Sequence, residues 1–191
     1  MKKVILFILL FWSVVFYFSC TKGNAQLNNG NEKPMGKSSN VTTAKIVVPT
    51  DAPSTTFTLF ANKIINTGSV AVTNDSYFIY VTYRAQKGYV LTQTHLYIGA
   101  KSLLPVSKAG SIITEKFPYN TVHKNQLSYT YQIPILAIPA GSCGCISAQA
   151  ELVKYNAEGK IIEHKTAWGD GVAVNAKNND EMQFDYCSIA E

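Results

Sequence analysis

Beyond Thr56 the chain is written in short runs of Val, Ile, Thr, Tyr and Phe, each closed by Asn, Asp, Gly or Pro, and no useful stretch there carries the apolar period of a helix. Strand-length runs at close spacing with turn residues between them are the signature of an all-β fold, sandwich or barrel. An antiparallel β-sandwich is therefore predicted over residues 56–191, with immunoglobulin-like and jelly-roll-like topologies both open. Asn74-Asp75-Ser76 sits between Ser69–Thr73 and Tyr77–Arg84, and such residues turn a chain through their own side-chain hydrogen bonds. A second hairpin is predicted at Asn156-Ala157-Glu158-Gly159, and Asn66-Thr67-Gly68 reads as a further turn. In Ser128–Ile135, Tyr129, Tyr131, Ile133 and Ile135 alternate with polar residues, so one face is core, and Pro134 marks an edge strand or a strand end. Tyr77–Tyr83 is apolar on both faces, as a strand covered on two sides would be. The long connection from Leu103 to Asn120 carries Ile112, Ile113 and Phe117, which predicts that it packs down onto the sheets.

The first twenty residues have a different character. Lys2-Lys3, an apolar run from Val4 to Phe18 and then Ser19-Cys20 make the layout of a secretory signal whose removal exposes Cys20. Fifteen residues span about 22 Å as a helix against a hydrocarbon core of about 30 Å, short for a permanent membrane span. Tyr17-Phe18-Ser19-Cys20 resembles the lipobox of bacterial lipoproteins, although Tyr17 and Phe18 stand where Leu and a small residue are usual. The resemblance implies a diacylglycerol on the Cys20 sulfur and an acyl chain on its amine, and two or three buried chains anchor stably where one is marginal. The alternative is a soluble secreted protein cut near Ala25. On the lipoprotein reading residues 1–19 are the signal peptide and residues 20–55 a flexible tether, rich in Asn, Gly, Ser, Thr, Lys and Pro and too poor in large apolar groups to offset ordering entropy. Its one apolar island, Lys45-Ile46-Val47-Val48-Pro49, reads as a sticky spot in the tether, an edge strand or a partner-binding segment.

Charge excludes one class of partner. Residues 54–191 hold eleven bases against ten acids, a net of +1, so the basic balance of the chain belongs to leader and tether and there is no footprint for nucleic acid. Apart from Cys20 the cysteines are Cys143, Cys145 and Cys187. In an exported chain the default is a disulfide, and three thiols cannot all pair internally. Cys187 is expected to bridge to Cys143 or Cys145; a Cys143–Cys145 bridge is the strained alternative. Metal binding by Cys143-Gly144-Cys145 lacks a second close-spaced ligand pair, and no cofactor or metal is implied.

No nucleophile elbow, phosphate loop or zinc helix occurs, and His95, His123 and His164 stand isolated. Thr92-Gln93-Thr94-His95-Leu96-Tyr97-Ile98-Gly99, Phe117-Pro118-Tyr119 and, most specifically, Thr166-Ala167-Trp168-Gly169-Asp170-Gly171 resemble motifs of an uncharacterised group of secreted and surface domains in Bacteroidetes-type bacteria. The resemblance covers most of residues 57–187 and implies a β-sandwich and no activity.

Trp168 is the only tryptophan after the leader. If exposed, its indole with Tyr119, His95 and Asp170 would suit a sugar, the ring stacking and the carboxylate taking hydroxyl hydrogen bonds. The competing role is a plug at the end of the sandwich. Calcium at Asp170 with Asp75 or Asp185 would want six to eight oxygens, which no dense carboxylate loop supplies. The reading is a lipid-anchored cell-envelope β-sandwich that binds or supports rather than catalyses, held to the membrane through Cys20 and meeting a glycan or an envelope protein. Thr21 after Cys20 carries no retention signal, and resemblance to enteric sorting points to the outer membrane. A glycoside hydrolase is the enzymatic alternative, requiring two facing carboxylates about 5 to 9.5 Å apart from among Glu115, Glu151, Glu163 and Asp170.

Overall fold

The computed structural model describes residues 45–176 and 180–189; the leader, Cys20 and the stretch up to residue 44 lie outside them. The described residues form strands β1 (Thr55–Ala61), β2 (Ile65–Asn74), β3 (Phe78–Ala85), β4 (Tyr89–Gly99), β5 (Tyr119–Gln126), β6 (Ser128–Pro134), β7 (Cys143–Tyr155), β8 (Ile161–Gly169), β9 (Val172–Ala173) and β10 (Met182–Cys187). The hydrogen-bonded order is β5-β4-β7-β8-β1-β2-β3-β6, and β10 pairs with the start of β7. Only Leu59↔Gly169 and Phe60↔Trp168 join β1 to β8, and the antiparallel sheet folds over on itself around that seam. The inward faces of its two halves enclose Leu59, Val70, Val81, Tyr83, Leu96 and Ile146, none of which keeps any exposure. The chain is thus the expected antiparallel β-sandwich, nearly closed. Its order is not the immunoglobulin one, because β1, β2 and β3 lie side by side instead of passing the third strand to the other sheet.

The hairpin between β2 and β3 forms as its residues dictate. Asp75 Oδ1 accepts hydrogen bonds from the N–H groups of Tyr77 at 2.8 Å and Phe78 at 2.7 Å, and Oδ2 accepts one from the Tyr80 hydroxyl at 2.8 Å. Burial pushes the Asp75 carboxyl up, but those donors together hold it below its usual range, while burial and the carboxylate push Tyr80 up to about 12. The Asn156–Gly159 hairpin is likewise present, with Asn156 Oδ1 accepting from the Lys160 N–H at 2.9 Å. The turn expected at Asn66-Thr67-Gly68 is absent. The chain reverses earlier, at Asn62 and Lys63, both in the left-handed region with φ of 49° and 60°. Gly68 serves close packing within β2 instead, since a Cβ there would stand 2.1 Å from the Arg84 carbonyl oxygen.

The side of the sandwich opposite the β1–β8 seam is closed by side chains. β5 and β6 follow each other in sequence but pair with β4 and β3 respectively. Between them the Tyr131 hydroxyl lies 2.8 Å from Thr94 Oγ1 and donates to Thr121 Oγ1 at 3.1 Å, and His123 Nε2 lies 2.8 Å from Thr94 Oγ1. The His123 ring centroid is 4.6 Å from that of Tyr129. Burial holds the His123 pKa below its ordinary 6.5, with Gln126 opposing. Between those two values the unfolded chain binds the proton and the folded one does not, so stability falls as pH falls. Thermal melts should be flat above about pH 7 and decline from about pH 6.5 downward, and His123→Gln should flatten that decline.

At the N-terminal side, residues 48–54, expected to be tether, lie against the outer face of β1, β2 and β3, where the Thr73 hydroxyl donates to the Pro53 carbonyl at 2.9 Å. On β3 the strap lies over the second face at Thr82 and Arg84. The other end of the chain is sewn down by Asn74, whose side chain bonds both the N–H and the C=O of Ile189 and accepts from the Tyr186 hydroxyl.

Candidate functional site

Strand register places the sequence candidates on particular faces. On the outer face of the β5-β4-β7-β8 half, Asn120, His95, Gln149 and Trp168 stand directly opposite one another in a single row across four strands. At about 4.8 Å per strand, His95 and Trp168 are about 10 Å apart with Gln149 between them. Tyr119 pairs with Leu96, one residue out of step, so its side chain points to the inner face, where its ring packs 5.7 Å from Tyr131. Asp170 is exposed beyond the end of β8, its N–H bonded to the Thr58 carbonyl. The four residues therefore do not converge on one exposed surface.

Trp168 is a plug. It keeps 6% of its exposure, in a second apolar cluster with Tyr97, Leu104, Ile112, Phe117 and Met182 on the outside of the sheet. The roof over this cluster is the connection between β4 and β5, which packs down as its apolar content predicts. Two bonds tie the roof to the segment after β8: Asn175 Nδ2 donates to the Ala109 carbonyl and the Ile112 N–H donates to Glu181 Oε2. The glycines around Asp170 have a matching purpose. A Cβ on Gly169 would stand 2.7 Å from the Phe184 ring and one on Gly171 would stand 2.2 Å from the Gln183 carbonyl oxygen. They let the end of β8 close against β10. Gly171→Ala should cost about 2 kcal/mol or more, because backbone must move to admit the methyl, whereas exposed Asp170→Ala should cost less than about 0.5 kcal/mol; paired urea melts check both.

The polar members of the row are ordered by hydrogen bonds. Asn120 Nδ2 donates to the Phe117 carbonyl, which turns Asn120 Oδ1 toward His95 Nδ1 at 2.5 Å. An amide oxygen only accepts, so His95 Nδ1 is the donor in this bond. Gln149 donates its amide to Glu151 Oε1, and the Thr166 hydroxyl contacts both Glu151 oxygens at 2.9 and 3.0 Å. That leaves Gln149 Oε1 buried without a partner among the described residues. Such an acceptor costs roughly 1–3 kcal/mol, so a water or another donor belongs beside it. Gln149, Phe117 and Asn120 were not among the sequence candidates. The available signal was Gln149 itself, an amide between Ala148 and Ala150 in a strand-length run.

Glu163 is committed elsewhere. Glu163 accepts from Lys165 Nζ at 2.9 Å and from the Tyr89 hydroxyl at 2.9 Å, and these two bonds hold its carboxyl below the usual range. In register Glu151 faces Gln93 and Thr166, and Glu163 faces Lys154, so neither stands opposite another carboxylate. No group of three His, Cys, Asp or Glu side chains able to hold a metal occurs among the described residues.

The cysteines pair as Cys143–Cys187, directly opposite in the β7–β10 ladder. Cys145 faces Asp185 instead and stays a thiol, buried and donating to Gln183 Oε1 at 2.8 Å. Burial, with the Asp185 carboxylate and against Lys101, pushes it up to about 11.

No protein-family model matches the chain, and neither a curated protein nor a solved structure does.

Proposed function

We propose that the chain is a lipid-anchored protein of the bacterial cell envelope whose β-sandwich works by binding or as a structural element. The observation that carries this reading is the pair of edge strands. Among the described residues β5 and β6 are each paired in a backbone ladder on one side only, with side chains alone meeting between them, and the exposed Val122 and Leu127 lie on β5 and between the two strands. Unpaired strand edges flanked by exposed apolar side chains are places where another chain docks. Reaction chemistry has less support: the carboxyls of Asp75, Glu151 and Glu163 are occupied by hydrogen bonds that hold the fold, and the Cys145 thiol is buried at a pKa of about 11. A surface glycan stacked on Trp168 is disfavoured because that indole lies beneath the β4–β5 connection.

The lipid anchor rests on the resemblance of Tyr17–Cys20 to a lipobox, and the place in a Bacteroidetes-type envelope group rests on Thr166–Gly171. Labelled palmitate should enter the wild-type protein, and Cys20→Ser should abolish labelling and release the protein from the membrane fraction; unchanged fractionation would remove the anchor. For the binding role, a photocrosslinking residue at Val122 or Leu127 in intact cells should give a discrete adduct, while one at exposed Glu158 should not. Adducts at neither edge position would leave only a spacer.

A further inference from the structure

The outer face of the β1-β2-β3-β6 half has a composition that the fold does not require. Strand register sets Thr56, Ala71, Thr82 and Thr130 in one row and Thr58, Ser69, Arg84 and Ser128 in the next. Solvent-facing strands commonly carry Lys and Glu, yet here the polar groups of both rows are hydroxyls and one guanidinium. Across this face runs the strap, residues 48–54, and between strap and sheet lies a groove of about 320 Å³. Its walls include Val48, Pro49 and Ser54 from the strap and Thr56, Thr82 and Arg84 from the sheet.

Arg84 is the only arginine of the chain. It is exposed, and no carboxylate oxygen lies within 4.0 Å of its guanidinium among the described residues. The acid of the strap, Asp51, takes a hydrogen bond from its neighbour Thr50 at 3.1 Å. An unpaired guanidinium presents a planar fork of donors that fits a carboxylate or sulfate oxygen pair, and arginine serves this purpose better than lysine. Around it the groove offers hydroxyls, which both donate and accept, and the apolar surface of Val48-Pro49.

What the groove withholds narrows the ligand. Its floor is β1, β2 and β3; both edges of β2 and β3 are already paired in ladders, so the middle of the floor offers an extended peptide no free backbone on which to add a strand. Recognition must pass through side-chain hydroxyls, one cation and a small apolar wall. A ligand that matches all three has several hydroxyls, one oxyanion and a C–H face, and 320 Å³ accommodates about one such ring. We propose that the strap groove binds an acidic sugar residue, a uronate or a sulfate ester, with its oxyanion paired to Arg84. The groove gives the binding reading a ligand, at a place separate from the β5 and β6 edges and independent of the anchor.

Calorimetric titration of the full mature chain tests this with trigalacturonate, a sulfated galactose trimer, the neutral galactose trimer and inorganic sulfate. One or both acidic trimers should bind, weakening as salt rises, and the neutral trimer and free sulfate should bind at least roughly tenfold more weakly. Arg84→Gln should lose roughly tenfold or more in affinity, the worth of a hydrogen-bonded charge, with its melting temperature unchanged because Arg84 is exposed. Arg84→Lys should retain part of it. Thr73→Val, which removes the strap's bond to Pro53, should weaken binding severalfold by loosening one wall. The inference is overturned if neither acidic trimer binds, if the neutral trimer or free sulfate binds as tightly, or if Arg84→Gln binds like wild type. Palmitate labelling and edge crosslinking are read separately, so failure here leaves those results standing, and their failure leaves this one standing.

Discussion

Trp168→Ala should lower the unfolding free energy by about 3–5 kcal/mol, the range for truncating a buried large aromatic. At roughly 3–5 °C per kcal/mol for a domain of this size, the melting temperature should drop by roughly 10–20 °C. The magnitude follows from where the indole sits. It is 6% exposed, it pairs in register with Gln149 on β7 and with Phe60 on β1, and it belongs to the apolar cluster roofed by the β4–β5 connection. Deleting it opens a void beneath that roof and weakens the two-residue seam between the halves of the sheet. The loss should therefore have a local signature: trypsin should cut at Lys108 or Lys116, both exposed in the connection, well before the body unfolds. Trp168→Phe should recover more than half of the loss. In the protein without its leader, Trp168 is the sole tryptophan, so its emission should be that of a buried indole and no sugar should shift it. A surface indole gives the opposite pattern: little change in stability and a fluorescence response to a glycan. That outcome would return Trp168 to the binding role and remove the plug.

The parts of this arrangement that could be read from residues are those in which the cause is local. The β2–β3 hairpin is encoded in Asp75, whose carboxylate satisfies two backbone donors within three residues. The inward set Tyr129, Tyr131 and Ile133 follows from the pleat of one strand, and Pro134 ends that strand at the edge. Gly68 shows where local reading stops. A glycine after Asn and Thr looks like a turn, but its absent Cβ answers to the Arg84 carbonyl on another strand. The candidate site residues are spread apart for a related reason. His95 and Trp168 share a row only because two registers, β4 with β7 and β7 with β8, happen to align them. Tyr119 falls on the other face because β5 meets β4 one step out, and a one-residue offset turns a side chain through the sheet. Burial of the indole is less local still, since the cover comes from a connection more than fifty residues earlier in the chain. Pairing partners and covers are long-range facts, and a single sequence carries them weakly.

Loss of the Cys143–Cys187 bridge should cost nearly as much as loss of the indole. Its cysteines are separated by 44 residues, and closing a loop of that length removes denatured-state entropy worth about 4 kcal/mol in the chain-entropy account. The bridge also closes the last strand onto β7, where Cys187 faces Cys143 at the end of the β10 ladder. The same ladder explains why Cys145 is left out: it faces Asp185, and its thiol is turned to Gln183 within the roofed cluster. Cys187→Ser and Cys143→Ser should each lower stability by about 2–5 kcal/mol, and the double variant should be no worse than either single one, because all three remove one bond. Cys145→Ser keeps a donor for Gln183 and should cost less than about 1.5 kcal/mol. Thiol chemistry gives an independent reading. Without reductant, the native protein should not react at Cys145, since a buried thiol at a pKa of about 11 holds almost no thiolate at neutral pH. After denaturation Cys145 should react, and peptide mapping should recover Cys143 joined to Cys187. With Cys20 carrying its lipid the mature chain then titrates one thiol, and with Cys20 bare it titrates two. A Cys145–Cys187 peptide would overturn the register of β10 against β7, and with it the closure of the chain end on which the roof over Trp168 rests.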